Sequence, residues 1–192
     1  MESRILLLGP VRAGKTTAIR AISDIETVDT DVRPSDEVAL LKASTTVAMD
    51  LGVVRLDERD RIVLYGAPGQ ERFDFMWEIL LEQCEGVLLL IDDSAQDPVA
   101  DLAHYYALLM RPGQKRRPLM VGVTHVEGRS DHDLARYDAV LRPARAACGC
   151  LSCSPPVQAL DARESNEVRA LLIGLAAMLE VQQRFRNRPC LA

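Results

Sequence analysis

A glycine-rich segment near the amino terminus restricts this chain to a small group of folds. Residues 9–16, GPVRAGKT, fit the pattern GxxxxGK(S/T), with an apolar run at 4–8 before them and a helical pattern at 15–22 after them. In that setting the backbone N–H groups of the loop and the start of the helix form a phosphate site. The lysine of the pattern reaches the β- and γ-phosphates, and its threonine hydroxyl binds Mg²⁺. The segment therefore predicts a nucleotide-binding phosphate loop.

The remainder of the chain alternates between strand-like and helical patterns. The strand-like runs are 4–8, 46–54, 61–65, 86–92, 119–124 and 157–160, and the helical patterns are 15–22, 77–82, 99–110, 134–147 and 164–186. The polar stretch 57–60 has the composition of a hairpin turn, whereas helices join most of the other strands. We therefore expect one α/β domain over residues 1–192, a three-layer sandwich with a six-stranded, mixed but mostly parallel sheet and about five helices. Residues 33–43 are compatible with a loop that contains a short helical turn.

Composition excludes several other classes of protein. The 192 residues carry 23 Lys and Arg against 28 Asp and Glu, a net charge of −5, so no broad basic face for nucleic acid is expected. The longest apolar run, 170–179, is too short to span a bilayer, and the first residues lack a signal-peptide pattern. These features predict a soluble, cytoplasmic protein. Among its cysteines, Cys148, Cys150 and Cys153 lack a fourth ligand for zinc, which favours a structural connection.

A second motif follows the third strand-like run. Residues 61–65 continue into Gly66-Ala67-Pro68-Gly69-Gln70-Glu71-Arg72-Phe73. By itself, Gly-x-Pro-Gly is good turn chemistry. The segment also resembles the switch segment of small Ras-like GTPases, and its separation from the phosphate loop favours that interpretation over a plain turn.

Two shorter motifs come after the fifth and sixth strand-like runs. Thr124-His125-Val126-Glu127 follows residues 119–123, and Asp161-Ala162-Arg163 follows residues 157–160. Ligands of open α/β sheets lie at the carboxyl ends of the strands, where these segments are expected. Each motif is weak alone, and a histidine after a strand is more often a polar loop residue than a ligand.

Taken together, the motifs resemble those of Ras-like small GTPases, and in particular of the bacterial gliding-motility (MglA-like) and conservon GTPases. The matching segments are 9–17, 45–52, 68–73 and 124–127. The resemblance implies a switch that binds GTP or GDP with Mg²⁺ and hydrolyses GTP slowly. It also implies protein partners, among them a Roadblock-type regulator and an unknown effector. Peripheral membrane contact is compatible with it.

The same resemblance assigns roles to individual residues. Gln70 would orient the attacking water, Lys15 would stabilise charge on the phosphates, and Gly69 would donate its N–H to the γ-phosphate. Glu127 would accept hydrogen bonds from guanine, with His125 against the base. The full nucleotide-binding set is Gly9, Arg12, Ala13, Gly14, Lys15, Thr16, Thr17, Gly69, Thr124, His125, Glu127, Asp161, Ala162 and Arg163, and the metal-binding set is Thr16, Thr46 and Asp50.

The metal set contains a departure from the Ras pattern. Gly66 stands where an aspartate that supports Mg²⁺ is usual. We expect Asp50, four residues after the switch threonine Thr46, to supply the missing carboxylate. The rival is Asp92 at the end of an apolar run, for which a structural role is favoured.

Other departures concern catalysis and base selection. Val11 occupies a glycine position of Ras, and its bulk would obstruct an arginine supplied by a partner. Thr124 replaces an asparagine, which predicts the loss of a donor that ties this segment to the phosphate loop, and Glu127 is longer than aspartate. A resident catalytic arginine could be any of Arg12, Arg55, Arg59 and Arg72. Two alternatives therefore stay open, a catalytically weak, nucleotide-dependent interaction module and an ATP-using phosphate-loop protein.

Overall fold

The structure is a computed structural model that describes residues 2–26, 49–57, 60–69, 74–126, 134–147 and 155–184. These residues form six strands and five helices. The strands are β1 (Glu2–Leu8), β2 (Asp50–Arg55), β3 (Arg61–Gly66), β4 (Gly86–Asp92), β5 (Leu119–Thr124) and β6 (Val157–Ala159). The helices are α1 (Lys15–Ile22), α2 (Asp74–Gln83), α3 (Pro98–Leu109), α4 (Ala135–Ala147) and α5 (Ser165–Arg184).

The strands form one sheet in the order β2-β3-β1-β4-β5-β6. The hairpin β2–β3 is antiparallel, and the pairs β1–β3, β1–β4, β4–β5 and β5–β6 are parallel. The predicted fold class is thereby confirmed, including the antiparallel hairpin. Residues 46–48 of the second predicted strand, residues 33–43 and the cysteines at 148, 150 and 153 lie outside the described residues.

Hydrophobic packing on both faces explains why the central strands are continuous apolar runs. Successive side chains of a strand point to opposite faces. In β1, Leu6 and Leu8 accordingly pack in one core with α2, α3 and α4, whereas Ile5 and Leu7 pack in a second core with α1 and α5. All seven residues of β4 are buried. The sheet is therefore the middle layer of a three-layer sandwich. No helix among the described residues has the length and apolar character needed to cross a membrane.

A polar cluster of buried Asp93 and Tyr137 and exposed Arg136 fastens α4 to the sheet. Asp93, directly after β4, accepts hydrogen bonds from the hydroxyl of Tyr137 and the guanidinium of Arg136. Tyr137 is fully buried, and this burial raises its pKa above the usual range. The cluster orients α4 beside the carboxyl ends of β4 and β5, which form one border of the site.

Candidate nucleotide-binding site

The phosphate loop depends on glycine at two positions. A side chain at Gly9, where φ is 139°, would place its Cβ 2.0 Å from the backbone oxygen of Leu90. Gly14, with φ of 85°, would place a Cβ 2.9 Å from that of Ala162. Both positive φ values also disfavour L side chains. The loop therefore packs closely against β4 and against the segment between β6 and α5.

Lys15 lies beneath this loop at the start of α1. Its ammonium group donates hydrogen bonds to the backbone oxygens of Gly9 at 2.7 Å and Pro10 at 2.6 Å. Burial lowers the pKa of Lys15 to about 8, and the carboxylate of Asp50 acts in the opposite direction. The side chain is thus held inside the curve of the loop, where its charge can meet a phosphate.

Thr16 and Asp50 bring two oxygen groups together beside the loop. The hydroxyl of Thr16 donates a 2.5 Å hydrogen bond to the Asp50 carboxylate. Asp50 opposes Gly66 across the β2–β3 hairpin. A side chain at Gly66 would place its Cβ 2.9 Å from the Cβ of Asp50 and 3.1 Å from its Oδ2. Asp50 therefore fills the space that a residue 66 side chain would need, and a hydroxyl with a carboxylate is a donor set that suits Mg²⁺. Thr46 lies outside the described residues.

Asp92, the other candidate for a metal-binding carboxylate, makes contacts within the turn after β4 and with His125. Its Oδ1 accepts hydrogen bonds from the backbone N–H of Ser94 at 2.9 Å and from its hydroxyl at 2.6 Å. The Nδ1 of His125 lies 3.0 Å from the same oxygen. These contacts fix the turn after β4 to the end of β5, which fits the structural role that was favoured for Asp92.

The segment after β3 lies against the phosphate loop. A side chain at Gly69 would place its Cβ 2.5 Å from the backbone nitrogen of Val11 and 2.8 Å from the Nζ of Lys15. The indole N–H of Trp77, on α2, donates a 2.9 Å hydrogen bond to the Pro68 oxygen. Gly69 is thus positioned beside the phosphate-loop lysine. Gln70 lies outside the described residues.

Thr124 corrects one expectation about the end of β5. Its hydroxyl oxygen lies 3.3 Å from the backbone oxygen of Ala13 and 3.1 Å from that of Ile91, and the residue is almost fully buried. The prediction that Thr124 loses the link to the phosphate loop is therefore wrong, because its shorter hydroxyl still reaches a loop carbonyl. His125 follows with φ of 57° and its Nδ1 3.1 Å from the Thr124 hydroxyl. Glu127 lies outside the described residues.

A cavity of about 420 Å³ opens between the phosphate loop and the ends of β5 and β6. Arg163 forms an ion pair with the Asp161 carboxylate at 2.7 Å, and its hydrogen bonds lower the pKa of Asp161 to about 2. The Glu167 carboxylate accepts a 2.7 Å hydrogen bond from the Asp161 N–H. The lining residues are Arg12, Gly14, Thr17, Thr124, His125, Val126, Ala159, Leu160, Asp161, Ala162, Arg163 and Glu167.

Every described residue of the predicted nucleotide set therefore lies at one edge of the sheet. Glu167 was missed by the sequence reasoning, although it stands in the first turn of α5, where an acidic residue is favourable. Its bond to the Asp161 backbone stabilises the segment that borders the cavity. The Thr124–Ala13 contact had no local signal, since it joins residues 111 positions apart.

Comparison with known sequences finds similarity to parts of two kinds of eukaryotic protein. The chain matches no family profile. It is 30% identical to human ADP-ribosylation factor-related protein 1 over 101 residues, which are 52% of this chain and 47% of that protein. It is 23% identical to intraflagellar transport protein 22 of Chlamydomonas reinhardtii over 111 residues, 57% of this chain and 54% of that protein. The chain thus spans about half the length of the curated relatives it matches.

Comparison with solved structures shows that nearly the whole chain has the fold of a small GTPase. The Arl6 BBS3 small GTPase of Trypanosoma brucei, solved with the nucleotide analogue GppNp, has a TM-score of 0.66 and 15% identity. The match covers 95% of this chain and 99% of that one. The chain therefore has the small-GTPase form of the phosphate-loop fold, and its resemblance to Ras-like GTPases is supported. These similar proteins are eukaryotic, so the resemblance to bacterial gliding-motility GTPases stays a prediction.

Proposed function

We propose that this protein is a GTP-binding switch that hydrolyses GTP slowly to GDP. One observation carries the proposal: Gly69 packs between Val11 and Lys15, so a segment outside the phosphate loop lies where it can respond to the γ-phosphate. A plain phosphate-binding loop does not require such a neighbour. The Arf-like relatives and the nucleotide-bound structural neighbour support the same interpretation.

The residues around the loop would divide the chemistry among them. Lys15 and the loop N–H groups would stabilise negative charge on the β- and γ-phosphates, and Gly69 would donate its N–H to the γ-phosphate. Gln70 follows directly and would orient the attacking water. Hydrolysis would then release Gly69 and the segment that follows it, which is how such switches change partners.

The Mg²⁺ that accompanies the nucleotide would be held by Thr16 and Asp50, with Thr46 from the neighbouring segment. The ion would neutralise charge on the phosphate oxygens. The hydrogen bond between the Thr16 hydroxyl and the Asp50 carboxylate supports this assignment, because it holds the two oxygen groups side by side. We expect Asp50→Ala to weaken nucleotide binding in the presence of Mg²⁺ and to leave binding in EDTA nearly unchanged. Equal affinities of the variant and the wild-type protein in Mg²⁺ would refute this assignment.

Guanine would occupy the cavity at the ends of β5 and β6. His125 would lie against the base, Glu127 would accept hydrogen bonds from it, and the Asp161–Arg163 segment would contact its carbonyl through the backbone. Thr124 would maintain the cavity by its bond to the Ala13 oxygen.

Binding of fluorescent GDP and ATP to the purified protein, each with and without Mg²⁺, is the direct test. A GDP affinity at least about a hundredfold higher than that for ATP would support the proposal, because it corresponds to about 2.7 kcal/mol of base discrimination. Equal affinities would favour the ATP-using alternative.

Single-turnover hydrolysis of bound GTP then separates a GTPase from a catalytically weak interaction module. Gln70→Leu provides the control, because it is expected to bind GTP without hydrolysing it.

Three finer assignments rest on the sequence alone, the first two on its resemblance to known families and the third on its composition. They are kinship with bacterial gliding-motility GTPases, a Roadblock-type regulator as partner and a cytoplasmic location. Single-turnover hydrolysis with and without a Roadblock-domain protein tests the partner, and an increase of at least about tenfold is expected for an activator.

A further inference from the structure

The backbone of Arg12 has a conformation that its side chain disfavours. Its φ of 73° lies in the left-handed region, which only a few per cent of non-glycine residues adopt. The residue stands in the curve of the phosphate loop, between Pro10 and Gly14, where glycine would be free of this strain. Strained residues of this kind concentrate at ligand sites. A ligand-binding role of the Arg12 side chain would explain why the loop retains this strained conformation.

Arg12 lines the cavity at the ends of β5 and β6, and its charge is available there. Arg163, the other arginine in the lining, is paired with Asp161, and the Nδ1 of His125 lies 3.0 Å from Asp92. Glu167, the remaining charged residue of the lining, accepts a hydrogen bond from the Asp161 backbone. Within the described part of the chain, no carboxylate forms an ion pair with Arg12.

The position of Arg12 also separates it from the bond that is hydrolysed. Gly69 meets the loop at Val11 and Lys15, and neither Gly69 nor Lys15 lines the cavity. Thr17, by contrast, lines the cavity together with Arg12. Arg12 therefore lies on the cavity side of the phosphate loop, where the α-phosphate of a nucleotide with its base in the cavity would lie.

We propose that Arg12 retains the bound nucleotide by pairing its guanidinium with the α-phosphate, and that it is not the arginine that assists hydrolysis. This inference rests on the proposed guanine-nucleotide site. Arginine suits the role because its fork of N–H donors matches phosphate oxygens. GDP and GTP would both dissociate slowly because of this contact, since both carry the α-phosphate.

Release of the fluorescent analogue mant-GDP, chased with excess GDP in Mg²⁺, tests the proposal. The variants are Arg12→Gly and Arg12→Lys. The control is Arg111→Ala, an exposed arginine at the opposite edge of the sheet that pairs with Glu78 at 3.7 Å. We expect Arg12→Gly to release mant-GDP about tenfold faster, the size of one charge-assisted hydrogen bond. Arg12→Lys should retain part of the effect, and Arg111→Ala should match the wild-type protein.

Two further measurements distinguish retention from folding and from catalysis. The melting temperature of nucleotide-free Arg12→Gly should change by less than about 2 °C, because relief of backbone strain offsets the added freedom of glycine in the unfolded chain. The single-turnover rate of hydrolysis of pre-bound GTP should fall far less than release accelerates. The inference would be overturned if Arg12→Gly released mant-GDP at the wild-type rate. It would also be overturned if the rate of GTP hydrolysis by Arg12→Gly fell about 10³-fold. Failure of the wild-type protein to bind mant-GDP would instead refute the proposed function itself.

Discussion

Exchanging the residues at positions 50 and 66 would show whether Asp50 replaces a carboxylate that is absent at Gly66. The two positions are opposite each other in the β2–β3 hairpin, and a Cβ at position 66 would lie 2.9 Å from that of Asp50. Gly66→Asp would therefore force two side chains into one space. Such overpacking costs about 1–3 kcal/mol. Two carboxylates about 4 Å apart at an effective dielectric constant of about 20 repel by up to about 4 kcal/mol more.

Gly66→Asp alone should accordingly lower the free energy of unfolding by at least about 1 and at most about 7 kcal/mol. In the double variant, with Asp50→Gly added, the overlap and the repulsion both disappear. The double variant should therefore be more stable than Gly66→Asp alone, with a coupling of at least about 2 kcal/mol, which is large for neighbouring residues. Asp50→Asn removes the charge at position 50 but keeps the volume. Combining it with Gly66→Asp therefore separates the electrostatic part of the stability loss from the steric part.

Urea unfolding of the wild-type protein, the two single variants and the double variant provides the four free energies. Release of mant-GDP in Mg²⁺ and in EDTA adds a functional measurement: Mg²⁺ should slow release from the wild-type protein and the double variant, but much less from Asp50→Gly. Additive effects on stability, within about 0.5 kcal/mol, would refute the reasoning, because independent sites behave in that way. Restored stability without restored Mg²⁺ dependence would refute only the equivalence of the two positions, whereas an unchanged Mg²⁺ dependence in Asp50→Gly would refute the metal role of Asp50.

Three further predictions concern side chains around the site. Tyr137→Phe removes a hydrogen bond to the buried carboxylate of Asp93 and should cost about 1–3 kcal/mol in urea unfolding; a change below about 0.3 kcal/mol would contradict this. The single tryptophan, Trp77, bonds to the Pro68 oxygen, so its fluorescence should change when GppNp replaces GDP; an unchanged spectrum with both nucleotides bound would argue against movement of Gly69. Burial raises the pKa of Cys84 to about 12, so iodoacetamide at pH 8 should leave it unmodified in the native protein and label it in urea, as peptide mass spectrometry would show.

The sheet could be predicted closely because burial on both faces leaves a simple signal. The strands 86–92 and 119–124 have the predicted bounds, since each is an uninterrupted apolar run between polar segments. The helix α2 was predicted less well: it begins at Asp74, three residues before the predicted start at 77. Helix ends depend on capping and on tertiary contacts of single residues, which are weaker signals than burial of a whole strand.

The parts of the site that form one continuous segment could be predicted from the sequence. The parts that depend on contacts between distant segments were missed. The phosphate loop is one continuous segment, so its glycines, lysine and threonine could be assigned from spacing alone. The bond from Thr124 to the Ala13 oxygen could not, because it requires the end of β5 to approach a loop far away in the chain. Asparagine and threonine differ in reach, and only the distance between the two elements decides whether the shorter hydroxyl suffices.

The glycine at position 66 illustrates how a carboxylate that is absent from a motif could be supplied by the opposite strand. A Cβ at position 66 would lie only 2.9 Å from that of Asp50, so a carboxylate on either strand can serve nearly the same point in space. Asp50 does so with respect to Thr16, since it reaches that hydroxyl from the strand opposite Gly66. A sequence motif records the order of residues along the chain, whereas metal binding depends on where the oxygen atoms lie in space. Gly66 is therefore no argument for the interaction-module alternative, which must stand on the rate of GTP hydrolysis instead.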